Sequence, residues 1–383
     1  MIPYGKQSIS QEDIDAVVDV LQSDWLTQGP KVPVFEEAIA EYCTANYSIA
    51  VNSATSALHI ACLALGVGKG DLVWTSPISF VASANCALYC GARVDFVDID
   101  LATGNMSVNE LERKLIVAEQ ENRLPKAVIP VHLAGQSCDM QSIHKLAKKY
   151  GFKIIEDASH AIGAEYRNNK VGCCEFSDIT VFSFHPVKII TSAEGGMAVT
   201  NDSALNATMK RLRSHGITNN PEEMTEPSHG PWYYQQIELG FNYRMTDLQA
   251  ALGLSQLSKV DEFVADRNEL ALKYADSFGS KPLSHLTQLT ECYSSYHLYI
   301  LRLDDTHEHL HKHVIEELRR NGIASHLHYI PIHIQPYYKQ MGFEENDFPN
   351  AIKYYQTAFT IPLHPQLSSP QQNFITDEIG KLL

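Results

Sequence analysis

The feature that most constrains the fold is an alternation of short apolar runs with helix-length segments over about the first 250 residues. The apolar runs, rich in Val, Ile and Phe, are typical of buried strands, and segments such as MQSIHKLAKKYG at 140–151 are typical of the helices between them. The strand candidates are SIAVNS, DLVWTS, ARVDFVD, KAVIPVH, FKIIED, DITVFSF and GMAVT. This alternation predicts an α/β fold whose largely parallel sheet is covered by helices on both faces.

The pattern changes in the last third of the chain. Thr246 followed by Gln249 is a capping-box signature, and one long helical run is predicted from there to about Phe278. Beyond it, YHLYILRL and ASHLHYI resemble strands and VIEELRR a helix. We therefore predict a large α/β domain at 1–250 and a smaller α+β domain at 251–383 that begins with a linking helix.

Charge and composition exclude several classes of protein. The chain has 30 basic and 45 acidic residues, a formal net charge of −15 and no local basic patch, so nucleic acid is not an expected partner. No apolar run reaches the about 18 residues of a membrane span, and the first residues lack a basic-then-apolar signal. The eight cysteines form no paired C-x-x-C set. We expect a cytoplasmic protein with reduced cysteines that does not bind a membrane.

Histidine clusters near the end of the chain raise the question of a metal site. HEHLH at 307–311 fits the H-E-x-x-H zinc pattern, but residues 304–306 resemble a helix start that would leave these histidines solvated. No third ligand follows at a recognised spacing, so we predict no metal. His326, His328 and His333, around HLHYIPIH, are instead candidates for lining a polar pocket.

One lysine lies where ligands collect in such folds. Asp157 ends one predicted strand, and Ser183 ends another just before Lys188 in SFHPVKIITSAEGG. The carboxyl ends of parallel strands meet at one edge of a sheet, where ligands bind. SIAVNS ends at the same edge, and the helix that begins near Ala54 and Thr55 offers free N–H groups to an anion.

A phosphate cradle, a buried carboxylate and a lysine are the groups that pyridoxal phosphate (PLP) requires. A lysine forms a Schiff base with the PLP aldehyde and afterwards carries protons between carbon centres. A carboxylate such as that of Asp157 keeps the pyridine nitrogen protonated, most effectively where little water enters. Phe80, in the loop TSPISFVASAN, is placed to stack on the ring.

Six blocks, in order along almost the whole chain, carry a family resemblance. They are WLTQGP at 25–30, NSATSALH at 52–59, SFVASAN at 79–85, EDASHAIGAEY at 156–166, SFHPVKIITSAEGG at 183–196 and NYRMTDLQAALG at 242–253. Together they are similar to the DegT/DnrJ/EryC1/StrS family of sugar-nucleotide aminotransferases. The resemblance implies PLP as cofactor and PLP fold type I, the aspartate aminotransferase-like fold.

The resemblance also implies roles for single residues around the cofactor. Lys188 matches the Schiff-base lysine, Asp157 the partner of the pyridine nitrogen, and His160 a residue near the 3-hydroxyl of PLP. Phe80 matches the stacking aromatic. The phosphate site is implied at Ala54, Thr55 and Ser183.

Two departures from the family pattern lie close to these positions. Ala54 stands where many relatives have glycine, and Val187 stands before the lysine where threonine is common. A hydroxyl contact from position 187 is therefore not expected.

The resemblance extends to the subunits and the substrate. Asn242 matches a residue that reaches the PLP phosphate of the neighbouring subunit, which implies a homodimer with shared active sites. The regions that line the sugar-nucleotide site are implied at Tyr4, Trp25, Leu26, Thr27, His328 and Tyr329.

Within the family, NSATSAL, SPISFVA, the SHA of EDASHAIGAEY, and HYIPIH are similar to the branch that serves pseudaminic acid biosynthesis. That branch transfers the amino group of L-glutamate to C4 of a UDP-linked 4-keto-6-deoxy-N-acetylhexosamine. The product is UDP-4-amino-4,6-dideoxy-N-acetyl-β-L-altrosamine. The sequence alone leaves the stereochemistry at C4 open, since it depends on which sugar face meets the cofactor.

Four alternatives stay open at this point. In the first, the substrate is another nucleotide sugar, either dTDP-linked or the D-gluco UDP-sugar. In the second, the protein binds a sugar nucleotide without turnover. A PLP-dependent sugar dehydratase is disfavoured, because the resemblance suggests histidine where this chain has Lys188. A nicotinamide-dependent oxidoreductase is disfavoured because no G-x-G-x-x-G follows the first strand.

Overall fold

The structure, a computed structural model, describes residues 1–279 and 281–383. The helices are α1 Gln11–Leu21, α2 Lys31–Cys43, α3 Ala54–Ala64, α4 Ala82–Tyr89, α5 Val108–Gln120, α6 Met140–Tyr150, α7 Ser203–Leu212, α8 Asp247–Leu257, α9 Val260–Phe278, α10 His311–Arg320, α11 Pro336–Lys339, α12 Pro349–Thr357 and α13 Ser369–Leu382. The strands are β1 Tyr47–Val51, β2 Leu72–Thr75, β3 Arg93–Phe96, β4 Ala127–Ile129, β5 Lys153–Asp157, β6 Glu165–Tyr166, β7 Asn169–Lys170, β8 Ile179–Ser183, β9 Gly196–Thr200, β10 Ile217–Thr218, β11 Gln235–Gln236, β12 Leu283–His285, β13 Cys292–Tyr293, β14 Tyr299–Leu303 and β15 Ala358–Ile361.

A seven-stranded sheet in the order β1-β9-β8-β5-β4-β2-β3 forms the centre of the larger part of the molecule. Its neighbouring strands are parallel, except that β9 is antiparallel to both β1 and β8. Because β9 is antiparallel to both of its neighbours, β1 points the same way as β8 and β5. The carboxyl ends of these strands therefore share one edge, and the predicted largely parallel sheet is confirmed.

Helices cover the sheet on both faces, as the continuous apolar strands require. Ile155 of β5 packs into a cluster with α3 and α4, whereas its neighbour Ile154 packs on the opposite face with α5 and α6. The helix α6 shows how the local sequence sets an element. Asp139 caps its start by accepting from the amide of Ser142 at 3.2 Å, and Gly151 ends it with a φ of 82°.

The last part of the chain builds a second, smaller sheet. The strands β12, β14 and β15 pair antiparallel, and their apolar side chains pack against α9, α10 and α13. This mixture of antiparallel strands and helices is the expected α+β arrangement. The division into domains at residue 250 falls inside α8, which packs against α1 and α2, and it stays a prediction.

Two elements differ from the sequence-based expectation. The single helix predicted from Thr246 to about Phe278 is broken between Leu257 and Val260, so the prediction of one continuous helix was wrong. ASHLHYI is not a strand: one bridge, between His326 and Thr360, is formed there. Ser325 and His328 of this segment are buried, but the bridge at His326 does not extend into a ladder of backbone pairs within it.

No helix in the described ranges is long and apolar enough to cross a bilayer.

Candidate active site

A cleft of about 560 Å³ lies at the sheet edge where β1, β5 and β8 end. Most of the residues predicted for the site line it, although they come from widely separated stretches of the chain. These residues are Tyr4, Ala54, Thr55, Phe80, Asp157, His160, Ser183, Lys188, His328 and Tyr329. The structure therefore brings the predicted set together, while the role of each residue stays a prediction.

Asp157 is the last residue of β5 and is 5% exposed. Its Oδ2 accepts a hydrogen bond of 2.6 Å from the Ser83 hydroxyl, and its Oδ1 accepts one of 3.1 Å from the Ser159 amide. Hydrogen bonds of this kind favour the charged form of a carboxyl group. The arrangement presents a fixed, buried carboxylate to the cleft.

Lys188 lies in the loop after β8, and its amide donates to the His185 carbonyl at 2.9 Å. Burial lowers the pKa of Lys188 to about 8, and the attraction of Asp157 opposes that shift. At neutral to mildly alkaline pH an appreciable fraction of this amine is unprotonated. An unprotonated amine is the form that attacks a carbonyl carbon, so the site suits a nucleophilic lysine.

The first turn of α3 forms one wall of the cleft. Ser53 caps this helix by accepting from the amide of Ser56, and the Ser53 carbonyl accepts from the amide of Ala57. The two remaining amides of the turn, those of Ala54 and Thr55, have no partner within the helix. Both residues line the cleft, where the positive end of the helix dipole favours an anion such as a phosphate group.

His160 and Tyr329 face each other across the cleft. The amide of Ala134 donates to Nδ1 of His160 at 3.3 Å, so the proton of the neutral ring lies on Nε2, 3.0 Å from the Tyr329 hydroxyl. Burial, and next the charge of Lys188, hold the pKa of His160 well below its ordinary value. Because Nε2–H donates to the Tyr329 oxygen, the hydroxyl proton of Tyr329 remains available to a ligand.

Aromatic residues form the outer part of the cleft. Phe80 is 60% exposed, and its ring centroid lies 6.4 Å from that of Tyr329. Tyr4 lies 5.0 Å from the ring of His328, whose Nδ1 is 2.8 Å from the Thr360 hydroxyl. Burial lowers the pKa of His328 to about 3, so its ring is neutral at physiological pH. The outer cleft is thus lined by aromatic and polar side chains, and the ring of His328 adds no charge to it.

Four predicted residues do not line this cleft. Trp25 and Leu26 are 55% and 49% exposed, and Thr27 forms a backbone bridge with Thr246. Asn242 is also exposed, and its backbone pairs with Ser214. The predicted contacts of these residues with a sugar nucleotide or with a neighbouring subunit stay predictions.

The structure adds residues that the sequence reasoning did not select. Ser79 and Glu194 line the cleft, and Ser83 lies behind it against Asp157. Ser79 lies in the loop before α4 and Ser83 in the first turn of that helix, so no helical or strand spacing relates the two in the sequence. Of the three histidines expected in a pocket, His333 is buried elsewhere against Phe348.

The H-E-x-x-H match at 307–311 lies just before and at the first residue of α10. In the two described ranges, no group of three or more His, Cys, Asp or Glu side chains is arranged to hold a metal ion. His311 of the H-E-x-x-H match instead lies with Nε2 2.7 Å from the Ala358 carbonyl oxygen.

Comparison with known proteins identifies the family. The model of the DegT/DnrJ/EryC1/StrS aminotransferase family matches residues 7–380. The chain belongs to this family. Its members are PLP-dependent aminotransferases, and the parallel-sheet architecture described above is their PLP fold type I.

Curated relatives match over the full length of the chain. A Campylobacter jejuni protein named UDP-4-amino-4,6-dideoxy-N-acetyl-beta-L-altrosamine transaminase is 38% identical over 384 residues, which cover 100% of this chain and 98% of the relative. The spore coat polysaccharide biosynthesis protein SpsC of Bacillus subtilis is 37% identical over 387 residues, covering 100% of this chain and 97% of the relative.

Solved structures agree with this assignment. Helicobacter pylori PseC, described as an aminotransferase involved in the biosynthesis of pseudoaminic acid, superposes with a TM-score of 0.92 at 35% identity, covering 100% of this chain and 98% of that one. A putative sugar aminotransferase, Spr1654 from Streptococcus pneumoniae in its PMP form, gives a TM-score of 0.90 at 30% identity over 100% of both chains.

Proposed function

We propose that this chain transfers the amino group of L-glutamate to C4 of a UDP-linked 4-keto-6-deoxy-N-acetylhexosamine, with PLP as cofactor. The product would be UDP-4-amino-4,6-dideoxy-N-acetyl-β-L-altrosamine. One observation carries the proposal: Lys188, Asp157 and the first turn of α3 line a single cleft. The names of the Campylobacter and Helicobacter relatives support the choice of sugar.

The residues of the cleft fit PLP in size, charge and hydrogen bonding. The amides of Ala54 and Thr55, with the Ser183 hydroxyl, would hold the phosphate, and Asp157 would pair with the ring nitrogen. Phe80 offers an exposed ring for stacking. When bound, PLP supplies an aldehyde that takes up the amino group and a ring that accepts electrons from the reacting carbon.

The protein would contribute binding, orientation and proton transfer. Lys188 would hold the aldehyde covalently and, once displaced by a substrate amine, move a proton from Cα of glutamate. The neutral ring of His160 would fix the hydroxyl of Tyr329, which would donate to an oxygen of the ligand. In the second half of the reaction the same amine of Lys188 would return the proton to C4 of the sugar.

We also propose a homodimer with shared active sites. Lys188 is the only lysine or arginine that lines the cleft in the described part of the chain, whereas PLP, a UDP group and glutamate are all anionic. Side chains from a second subunit would supply the missing donors, and the exposed Asn242 is the candidate implied by the resemblance.

A direct assay distinguishes the substrates. The purified protein is incubated with PLP, L-glutamate and a panel of UDP- and dTDP-linked 4-keto sugars, and the products are identified by NMR. We expect amination of the UDP-linked hexosamine. The proton coupling constants of the product then show whether the new amine at C4 is axial or equatorial. Failure with every UDP-linked hexosamine would defeat this assignment and leave transamination of another sugar.

Attachment of PLP is tested separately from turnover. After reduction with borohydride and digestion, mass spectrometry should find the phosphopyridoxyl group on the peptide that contains Lys188. Lys188→Arg keeps the positive charge but should carry no such group. A label on another lysine would contradict the proposed site.

A second candidate has support of its own. SpsC is named for spore coat polysaccharide biosynthesis, and it is nearly as similar to this chain as the Campylobacter protein, at 37% against 38% identity. Amination of a different nucleotide sugar, dTDP-linked or D-gluco, would follow from the same cleft. The sugar panel decides between the two candidates.

A further inference from the structure

Two serines connect the loop after β2 to the buried carboxylate of the cleft. The hydroxyl of Ser83 lies 2.6 Å from Oδ2 of Asp157, and the hydroxyl of Ser79 lies 2.6 Å from that of Ser83. Ser83 is fully buried and Ser79 is 4% exposed. These three side chains therefore form a short chain of hydrogen bonds from the wall of the cleft to Asp157.

The direction of this chain follows from its acceptor. An ionised carboxylate only accepts hydrogen bonds, so Ser83 donates its single proton to Asp157. The Phe80 carbonyl also lies 3.3 Å from the Ser83 hydroxyl, but the contact of 2.6 Å with a charged acceptor is the stronger one. Ser79 must then donate to Ser83. The relay runs from Ser79 through Ser83 to Oδ2 of Asp157.

We propose that Ser83 is a positioning residue for the cofactor's pyridine nitrogen, acting through Asp157, and that Ser79 supports it. This inference rests on the proposed function, because it takes Asp157 as the partner of that nitrogen. Ser83 holds Oδ2 and the Ser159 amide holds Oδ1, so the carboxylate cannot rotate away from the ring. Loss of the Ser83 hydroxyl would leave Oδ2 without its donor and would weaken the ion pair between Asp157 and the ring nitrogen.

The same loop also carries the residue expected to stack on the ring. Phe80 lies between the two serines in sequence, and the helix α4 begins at Ala82, so Ser83 is held in its first turn. A shift of this loop would move the stacking ring and the relay together. The position of the ring face and the charge state of the ring nitrogen would thus be coupled through one short segment.

Serine-to-alanine variants test the relay with two readouts besides activity. Full-length protein stripped of cofactor is titrated with PLP to obtain Kd, and protein loaded with ¹⁵N-labelled PLP reports protonation of the ring nitrogen by NMR. Ser83→Ala should weaken PLP binding by about 10-fold, less than the full effect of losing a hydrogen bond to a charged group, because the Ser83–Asp157 bond is also present in the cofactor-free protein. Ser79→Ala should weaken it by only about 2- to 5-fold, because a neutral hydrogen bond is lost.

The protonation of the ring nitrogen should be affected in the same order as the PLP affinity. In Ser83→Ala the nitrogen should lose its proton at a lower pH than in the parent protein, and in Ser79→Ala the shift should be smaller. Ser83→Thr restores the hydroxyl and should return both readouts toward the parent values. Ser48→Ala is the matched control, since Ser48 is a buried serine that donates to the Glu36 carbonyl outside the cleft.

Each outcome separates the two proposals. If Ser83→Ala and Ser79→Ala both match Ser48→Ala in PLP affinity and in nitrogen protonation, the relay is refuted and the proposed function stands. If the parent protein itself does not bind PLP, the proposed function falls and the relay falls with it. If Ser83→Ala does not fold, Ser79→Ala still tests the relay. It keeps the Ser83–Asp157 contact and removes only the hydrogen bond from Ser79 to Ser83.

Discussion

Gly196 of β9 lies directly against the first turn of α3: a Cβ added to it would stand 2.5 Å from the amide nitrogen of Ala54. The other atoms that this Cβ would meet, at 2.5 and 2.6 Å, are the carbonyl carbon and oxygen of Ser53. All of them belong to the backbone, so none can move aside as a flexible side chain would. The absence of a side chain at Gly196 therefore allows the anion-binding end of α3 to approach the sheet.

Gly196→Ala should accordingly displace the start of α3. We expect a loss of about 1–3 kcal/mol in the free energy of unfolding, typical of overpacking at a rigid contact, and PLP binding weakened by at least about tenfold. Urea unfolding and PLP titration measure the two effects. Gly68→Ala is the control, because a Cβ at Gly68 meets nothing within 4 Å. Equal PLP affinity in both variants would contradict this role of Gly196.

Much of this site was predictable because strand ends can be located from sequence. Asp157 and Ser183 each end an apolar run, and parallel strands bring such ends to one edge. The contact between Ser83 and Asp157 was not predictable, since the residues are 74 positions apart and a serine in a helix pattern resembles any small residue. Long-range pairs of this kind depend on how the elements pack.

The break between α8 and α9 had no local signal either. The residues at the break, Ser258 and Lys259, are not the Gly or Pro that usually mark the end of a helix. The capping box at Thr246, at the start of α8, was correctly expected. In the structure the ammonium of Lys259 lies 3.0 Å from Oδ1 of the buried Asp13, and the Ser255 hydroxyl donates to the same oxygen. Contacts with α1 from a distant part of the chain accompany the bend, and local propensity does not report them.

The pKa of Lys188 leads to a prediction about stability in the absence of PLP. Burial lowers this pKa to about 8 in the folded protein, against about 10.4 for an unfolded chain. Below pH 8 the folded state therefore holds a charged amine at a cost that the unfolded state does not have. Lys188→Met should raise the free energy of unfolding of the cofactor-free protein by ~1–3 kcal/mol at pH 7.

The size of this effect changes with pH in a defined way. The advantage of Lys188→Met should be complete below pH 8, shrink as the pH rises from about 8 to about 10.4, and vanish above that range. Urea unfolding at a series of pH values measures it. Lys145→Met, at an exposed lysine of α6, should show no such dependence. An unchanged or less stable Lys188→Met at pH 7 would show that Lys188 is not desolvated.

The charge state of His160 can be observed directly. Because burial and the nearby Lys188 lower its pKa well below the ordinary value, its ring should stay neutral from pH 5.5 to 8. NMR of ¹⁵N-labelled protein should show the proton on Nε2, since Nδ1 accepts from the Ala134 amide. The exposed His313, outside the cleft, serves as the histidine for comparison. A titration of His160 near pH 6.5 would contradict its lowered pKa, and a proton on Nδ1 would contradict the proposed tautomer.

The hydrogen bonds of Glu156, the residue before Asp157, lead to a prediction about what supports the cleft from behind. Glu156 is buried, and its carboxylate accepts hydrogen bonds from the Ser177 and Thr180 hydroxyls and from Nε2 of His132 at 2.7 Å. Nδ1 of His132 accepts from the Cys138 amide, which places the ring proton on Nε2. Glu156→Gln keeps the size of the side chain but removes its charge and sets an amide group opposite one of these donors.

We expect Glu156→Gln to lower the free energy of unfolding by about 2–4 kcal/mol at pH 7, because it disrupts a buried network of charged hydrogen bonds. Burial alone would raise the pKa of Glu156, but the donors around it, above all His132, hold that pKa below the ordinary value. The stabilisation is therefore present above pH about 4.3, the unfolded value, and is lost as the pH falls below it. Denaturant unfolding at pH 7 and pH 4 measures the difference, with the exposed Glu119→Gln as control. A cost no larger than that of Glu119→Gln at pH 7 would mean that this network does not hold the end of β5, and hence Asp157, in place.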